Sequence, residues 1–345
     1  MTLEDKLKAL IEAGGPVPLS AYMTACLHDP DLGYYATRPG LGTDFITAPE
    51  TSQIFGELIG LWLVHEWRAL GSPVPFTLCE PGPGRATMLN DALRAAKDYP
   101  DFLAAMRLTL IEASPALRAV QAERLADHEP EFAADVSKLP SDSPALIVAN
   151  EYLDCLPARQ FIMDAGQWHE RVVGLDQAGA LSLGIAADTA PDAPQAVGGV
   201  IEVQPGLEQL VSVLSDRAAP FRALFVDYGP DSGPPGDSLR AYRQGNQVDP
   251  LSDPGACDLT VDVDFSRLTK LARAAGLSVA GPVSQGAFLG ALGIQDRLNA
   301  LIKAQPDRAD TLFAGTQKLV DPAEMGTRFK AICLSSSGLA SPAGL

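Results

Sequence analysis

The chain has 345 residues, of which 46% are hydrophobic, with five cysteines and a formal net charge of −17. That length suits one large domain or two smaller ones with a full core, and no apolar run reaches the roughly 18 residues of a membrane span. So acidic a surface argues against a nucleic-acid partner, whose phosphates require basic patches, and the charge is compatible with a cationic partner or with plain solubility.

Cys26, Cys79, Cys155, Cys257 and Cys333 are scattered, and no CxxC occurs. A disulfide framework and a structural zinc site are therefore not expected, and the four histidines do not cluster either, so no metal site is expected. Met1-Thr2-Leu3-Glu4-Asp5-Lys6 lacks the charged-then-apolar layout of a secretory signal. A reducing bacterial cytoplasm is the expected compartment.

The first predicted element is an amphipathic helix over Thr2 to Ala13, with Leu3, Leu7, Leu10 and Ile11 on one face. A second helix is expected from Leu19 to Leu27, after Pro18. Residues Asp29 to Pro49 are rich in Gly, Pro, Asp and Tyr and read as an ordered loop. Ser52 to Leu70 carries Ile54, Leu58, Leu61, Trp62 and His65 at helical spacing and stops at Gly71-Ser72-Pro73. Trp62 and Trp67 are expected in the core of this packing.

At Phe76 the pattern changes to an apolar run, Phe76-Thr77-Leu78-Cys79, that ends in Glu80 and is followed by Pro81-Gly82-Pro83-Gly84-Arg85. A helical pattern then places Met88, Leu89, Ala92, Leu93 and Ala96 on one face. Strand, glycine turn and helix in this order form the ligand turn of a nucleotide-binding α/β unit, or a plain β–α turn. A dinucleotide fingerprint wants Gly or Ala where Thr87 stands, which disfavours a nicotinamide dehydrogenase. An acid two residues before the first glycine suits a cation instead. S-adenosylmethionine carries an ammonium, a sulfonium and no phosphate, so Glu80 would meet its amino-acid end. Arg85 either reaches the carboxylate of that ligand or stands exposed at the start of the helix.

Strands are expected at Phe76–Cys79, Arg107–Ile111, Leu146–Ala149 and Ala223–Val226, with helices between them at Pro115–Asp127 and Gly206–Ala218. This alternation predicts a mostly parallel sheet with helices on both faces. The polar tips Glu80, Glu112, Asn150-Glu151 and Asp227-Tyr228 fall where such sheets bind ligands. Glu112 can accept both hydroxyls of a ribose, or serve the helix that Ser114-Pro115 starts. Asp154 follows Glu151 by three residues, so one helical turn would bring the two carboxylates to one face, where they could grip a guanidinium.

From Arg159 to Ile185 three antiparallel strands are expected, Gln160–Met163, Trp168–Val173 and Ala180–Ile185. They read as a meander inserted at the edge of the sheet. Residues 188–199 form an Ala/Pro-rich connection, and 229–258 a long loop. A helix over Phe265–Ala275, a strand near Leu277–Gly281, helices over Phe288–Lys303 and Asp307–Leu319, and a closing strand at Phe329–Leu334 complete the domain. Residues 335–345 read as a flexible tail.

Many ordered segments resemble the MidA family, which includes the mitochondrial complex I assembly factor that methylates a protein arginine. They include Gly42-Thr43-Asp44-Phe45-Ile46-Thr47-Ala48-Pro49-Glu50, Glu80-Pro81-Gly82-Pro83-Gly84-Arg85, Asn150-Glu151-Tyr152-Leu153-Asp154-Cys155-Leu156-Pro157, Val226-Asp227-Tyr228-Gly229 and Met325-Gly326-Thr327-Arg328-Phe329-Lys330. The resemblance implies a class I methyltransferase fold with S-adenosylmethionine as cofactor. Residues 1–72 would be a helical extension and cofactor lid, and 73–334 the methyltransferase domain.

The resemblance further implies that Glu80, Gly82, Pro83 and Gly84 form the cofactor turn and that Glu112 holds the ribose. Asn150 and Glu151 would lie beside the methionine part or the transferred methyl, and Asp44, Phe45 and Thr47 in the lid. Catalysis would fall to Glu151, Asp154 and Asn150, with Glu50 as a further carboxylate near the acceptor. The acceptor would be an arginine of a protein, a complex I subunit or its bacterial equivalent. The rival reading is a cofactor-binding assembly chaperone with little turnover, and self-association is left open. Two departures from the family pattern stand out. Ala86 replaces a glycine, which a negative φ would tolerate, and Asn150 stands where relatives often have His.

Overall fold

The structure is a computed structural model that describes residues 1–37, 47–190 and 199–345. Seven strands form its central sheet: β1 (Phe76–Pro81), β2 (Met106–Ile111), β3 (Glu131–Ala133), β4 (Ala145–Asn150), β5 (Phe221–Tyr228), β6 (Ser278–Ser284) and β7 (Phe329–Ser335). Their order is 6-7-5-4-1-2-3. All pairings are parallel except those of β7, which runs antiparallel between β5 and β6. Order reverses between β1 and β4, which makes the crevice above them the natural ligand position.

Strands β1, β4 and β5 are buried along their whole length, as expected for a sheet covered on both faces. Their side chains alternate between two cores. Phe76, Leu78, Leu146 and Val148 pack with the helices Gln53–Ala69, Thr87–Ala95 and Ile294–Ala304. Cys79, Ile147 and Ala149 pack with Pro205–Ser215 and Phe265–Ala274. Trp62 and Trp67 lie in the first core, as expected. Helices Gln53–Ala69 and Thr87–Ala95 approach closely at Gly60, where a Cβ would stand 2.2 Å from the Ala92 carbonyl oxygen.

Several expectations are corrected. The meander does not sit on the edge of the main sheet. Strands Arg159–Asp164, Gln167–Leu175 and Leu181–Thr189 join Val17–Pro18 and Val200–Val203 in a separate five-stranded sheet. Val17–Pro18 lies far away in sequence, so the local pattern does not announce it. The stretch 229–258 is not a plain loop. Arg240–Arg243 pairs with Asn246–Val248 and with Asp258–Thr260 in a three-stranded antiparallel sheet. The helix expected over 288–303 is two, Gln285–Ala291 and Ile294–Ala304, separated at Gly293 with φ of 86°.

The last residues are not a loose tail. The Trp62 indole N–H donates to the Ala343 carbonyl at 3.1 Å, the Ala343 N–H to Glu66 Oε1 at 2.9 Å, and Arg222 Nη2 to the Ala340 carbonyl at 2.6 Å. The N-terminal helices Leu3–Gly14 and Leu19–His28 form a third core with Ala158, Val173, Ala241 and Leu259. They thereby join the separate sheet to the three-stranded one, and the Tyr22 hydroxyl donates to the Pro250 carbonyl at 2.7 Å.

Candidate active site

β1 ends in a turn where Gly82 and Gly84 both take left-handed backbone, with φ of 62° and 54°. Glycine adopts that region without steric cost. A Cβ on Gly82 would also stand 3.2 Å from the Tyr152 ring. Ala86 has φ of 57°, so the negative φ that would tolerate its methyl group is not what the backbone adopts. Helix Thr87–Ala95 begins directly after it. Arg85 lines the cavity and is engaged by the protein itself. Its Nη2 lies 2.5 Å from Glu50 Oε2 and its Nε 3.3 Å from Oε1, while the Thr87 hydroxyl donates to Glu50 Oε1 at 2.6 Å. Glu50 is therefore committed to the glycine turn rather than to an acceptor.

Glu80 is buried at the end of β1, and its Oε2 has no hydrogen-bond partner. Burial pushes its carboxyl up to about 8. A buried, unsatisfied acceptor lining a cavity is what a cationic ligand would complete. Glu112 serves the start of the following helix, one of its two sequence readings. Its Oε1 accepts the Ser114 N–H at 2.8 Å, at the start of helix Pro115–Arg124, and its Oε2 accepts from Gln121 Nε2 at 3.0 Å. Glu112 also borders the cavity, where a carboxylate can accept hydroxyl hydrogen bonds. Burial raises its pKa as well. Gln121 also donates to the Gly84 carbonyl at 2.7 Å, so one fully buried amide ties the glycine turn to Glu112. Nothing in the sequence around Gln121 signals this role.

At the end of β4 the Asn150 amide donates to Glu151 Oε1 at 2.8 Å, and Asn150 Oδ1 is buried without a partner. Glu151 has φ of 51°, with its N–H bonded to the Val226 carbonyl at 2.9 Å. A non-glycine residue in that region is strained and is held by its surroundings. Burial first, then the charge of Asp154, pushes the Glu151 carboxyl up to about 8, while the Asn150 amide and the Ala48 N–H oppose the shift.

Asp154 is satisfied by the protein itself. Its Oδ2 accepts the hydroxyls of Tyr228 at 2.5 Å and Thr260 at 2.7 Å, and its Oδ1 accepts from the Cys155 thiol at 3.3 Å. Asp227, at the tip of β5, binds the backbone of the same turn. Its Oδ2 accepts the N–H groups of Tyr152, Leu153 and Asp154, and its Oδ1 that of Tyr228. The strand-end position of Asp227 was legible in the sequence, but its bonds to a turn 73 to 75 residues away were not.

One cavity of about 380 Å³ lies among these elements. Glu80, Gly82, Pro83, Gly84, Glu112, Asn150, Glu151, Asp154 and Thr47 all border it, so the carboxylates named from sequence are brought together. Asp44 and Phe45 of the expected lid lie outside the described residues. Among the described residues no cluster of His, Cys, Asp and Glu could hold a metal ion, and no helix is long and apolar enough to cross a membrane. A small-molecule pocket of this size, at the point where strand order reverses and with a few convergent polar groups, is a cofactor site. A cationic amino-acid end fits Glu80, and a ribose fits Glu112.

Fold and site together define a methyltransferase that uses S-adenosylmethionine. Comparison with known proteins places the chain more closely. Residues 58–283 match the model of the Methyltransf_28 family of S-adenosyl-L-methionine-dependent methyltransferases, and the chain belongs to that family. It is 34% identical to the Drosophila melanogaster mitochondrial protein arginine methyltransferase NDUFAF7 homolog, over 98% of this chain and 86% of that protein. The human and mouse mitochondrial NDUFAF7 proteins are 34% and 35% identical, over 94% and 92% of this chain and 81% of each of theirs. A crystal structure from Burkholderia thailandensis bound to S-adenosyl-homocysteine is similar with a TM-score of 0.85 at 26% identity, covering 99% of this chain and 93% of its own. A native structure from the same organism agrees equally well, at 27% identity.

Proposed function

We propose that this methyltransferase modifies an arginine side chain of a protein, with Glu151 as the residue that receives the guanidinium. The observation that carries the reading is the position of Glu151. It is held in left-handed backbone at the tip of β4 and lines the same cavity as Glu80 and Glu112. The curated relatives named above are protein arginine methyltransferases. By the MidA resemblance the acceptor is a subunit of respiratory complex I or its bacterial equivalent, met in the cytoplasm. Residues 1–72 act as the extension that completes the site.

S-adenosylmethionine supplies, when bound, a methyl group on a sulfonium that transfers in line to a nucleophile. Glu80 holds its amino-acid end, Gly82 and Gly84 allow close backbone approach, and Glu112 holds the ribose. An arginine is a poor nucleophile while protonated, with a pKa above about 12. The guanidinium charge drives out the proton that burial leaves on Glu151, and the ionised carboxylate then accepts hydrogen bonds from the guanidinium and draws its positive charge toward the bonded nitrogens, so the attacking nitrogen keeps its lone pair. Glu151 then takes the proton that the methylated nitrogen sheds. The unpartnered Oδ1 of Asn150 accepts a further guanidinium N–H. Asp154, already holding Tyr228 and Thr260, fixes the wall behind them and does not itself grip the acceptor. Orientation and exclusion of water supply most of the rate gain in such a reaction.

The test is mass spectrometry of a complex I subunit after incubation with isotopically labelled S-adenosylmethionine. Label on arginine is the expected result. Glu151→Gln should abolish transfer and leave S-adenosylhomocysteine affinity within about threefold. Cofactor binding without label on any protein would leave the assembly-chaperone reading instead.

A further inference from the structure

The cavity extends beyond the cofactor residues. In the sheet, β2 and β5 are three strand spacings apart, about 14 Å at about 4.8 Å each. Glu112 follows β2 and Tyr228 closes β5, yet both line the cavity. Past Tyr228 the wall is built by two elements outside the central sheet. Tyr242 and Asp258 stand opposite each other in the three-stranded sheet, and Tyr35 comes from the N-terminal extension. Its hydroxyl donates to Asp258 Oδ1 at 3.1 Å and meets Cys155 Sγ at 2.7 Å. All three residues line the cavity.

We propose that Tyr35, Tyr242 and Asp258 form the acceptor subsite and select a planar guanidinium over an ammonium. The proposal rests on the methyl-transfer reading above and adds where the acceptor lies and what discriminates it. Aromatic faces suit a flat, weakly hydrated cation, which stacks on them while a carboxylate meets its edge. The Tyr35 ring is fixed for that purpose. Its hydroxyl is tied at two points, and its ring packs against His28 at 5.6 Å and Tyr34 at 5.3 Å between ring centroids.

Charge favours the same occupant. After burial itself, the charges of Asp154 and Asp258 both act to raise the Glu151 carboxyl. Among the described lining residues the cationic side chains are Arg85, engaged by Glu50, and His28, whose pKa burial lowers. An incoming cation relieves this repulsion. The unpartnered Asn150 Oδ1, on a side chain nine-tenths buried, is an acceptor waiting for a donor in the same cavity.

The experiment is calorimetric titration of the S-adenosylhomocysteine-loaded protein with three short peptides that differ only in carrying arginine, lysine or citrulline. The arginine peptide should bind at least about tenfold more tightly than the other two. Asp258→Asn and Tyr242→Ala should each weaken it at least about fivefold, with S-adenosylhomocysteine affinity unchanged within about twofold. Two variants on separate strands guard against one that fails to fold. Equal binding of arginine and lysine peptides, no saturable binding of the arginine peptide, or a parallel loss of cofactor affinity would overturn the subsite. Failure of the methyl-transfer reading looks different: arginine-selective binding with no labelled product from the wild-type protein.

Discussion

Asp227 Oδ2 accepts the Leu153 backbone N–H at 2.7 Å, the shortest of three bonds by which one carboxylate oxygen holds the turn after β4. The neighbouring Glu151 sits in a backbone region that an L-residue leaves unless restrained. Asp227 therefore positions Glu151 without facing the chemistry itself. An asparagine there has one acceptor oxygen for four N–H groups. Asp227→Asn should lower kcat at least about tenfold while the KM for S-adenosylmethionine moves less than threefold. It should also lose about 1–3 kcal/mol of stability for the buried donors left unmade. Steady-state kinetics with a urea unfolding curve checks both. An unchanged kcat would show that the turn holds its shape without Asp227.

Ala86 carries a methyl group where the backbone calls for glycine. Left-handed backbone costs an L-residue about 1–2 kcal/mol. Ala86→Gly removes that cost, but it gives up a buried methyl worth about 0.8 kcal/mol and frees the unfolded chain by about 0.4–1 kcal/mol. These contributions nearly cancel, so stability should stay within about 1 kcal/mol of wild type. Ala86→Val, β-branched in the same region, should lose more than about 2 kcal/mol and weaken S-adenosylhomocysteine. Equal urea midpoints for the two variants would contradict the strain.

The parts of this fold legible in the sequence were those decided locally. The apolar run from Phe76, the acid at its end and the Gly-x-Gly that follows give strand, ligand and turn within a dozen residues. Glu112 and Glu151 were found because each caps a buried strand. What stayed hidden depends on contacts distant in sequence. Gln121 is an ordinary helical glutamine until the glycine turn folds over it. The hairpin around Gln244-Gly245, with φ of 50° and 75°, is flanked by the short strands Arg240-Ala241-Tyr242-Arg243 and Asn246-Gln247-Val248, whose polar residues mask any alternation. The Ser-rich end of the chain looks disordered because its partner, Trp62, lies 281 residues before it.

Glu80 gives a proton-linked prediction. Its folded pKa of about 8 lies above the ordinary carboxylate value. Without ligand it therefore binds a proton near neutral pH that the unfolded chain does not. Its contribution to stability is present at low pH and fades as pH rises from about 4.5 to about 8. A cationic ligand beside it reverses the preference and expels the proton. Binding of S-adenosylhomocysteine at about pH 6.5 should release protons, so the measured heat should differ between buffers of different ionisation enthalpy, and affinity should rise toward pH 8. Glu80→Gln should remove most of the buffer dependence. A heat independent of buffer in the wild type would mean that Glu80 does not meet the cationic end.

The buried ion pair beneath the end of the chain makes the last prediction. Arg222 and Glu66 have fully buried side chains, with Nε 2.6 Å from Oε2. Backbone groups of Ala340 and Ala343 add two bonds: one accepts from Arg222 Nη2 and the other donates to Glu66 Oε1, while Arg222 Nη1 is buried without a partner. Removing one member of such a pair typically costs about 3–5 kcal/mol, because the other charge is left buried and alone. Glu66→Ala should lose that much. Deleting 339–345 should lose about 2–3 kcal/mol, since bonds to charged groups disappear but water reaches the pair. The two changes act on one network, so the double variant should lose less than the sum. Arg222 lies near the start of β5, at the opposite end of the strand from Asp227 and the cavity. S-adenosylhomocysteine affinity of each folded variant should therefore match wild type. Strictly additive urea free energies would show that the chain end and the ion pair are independent.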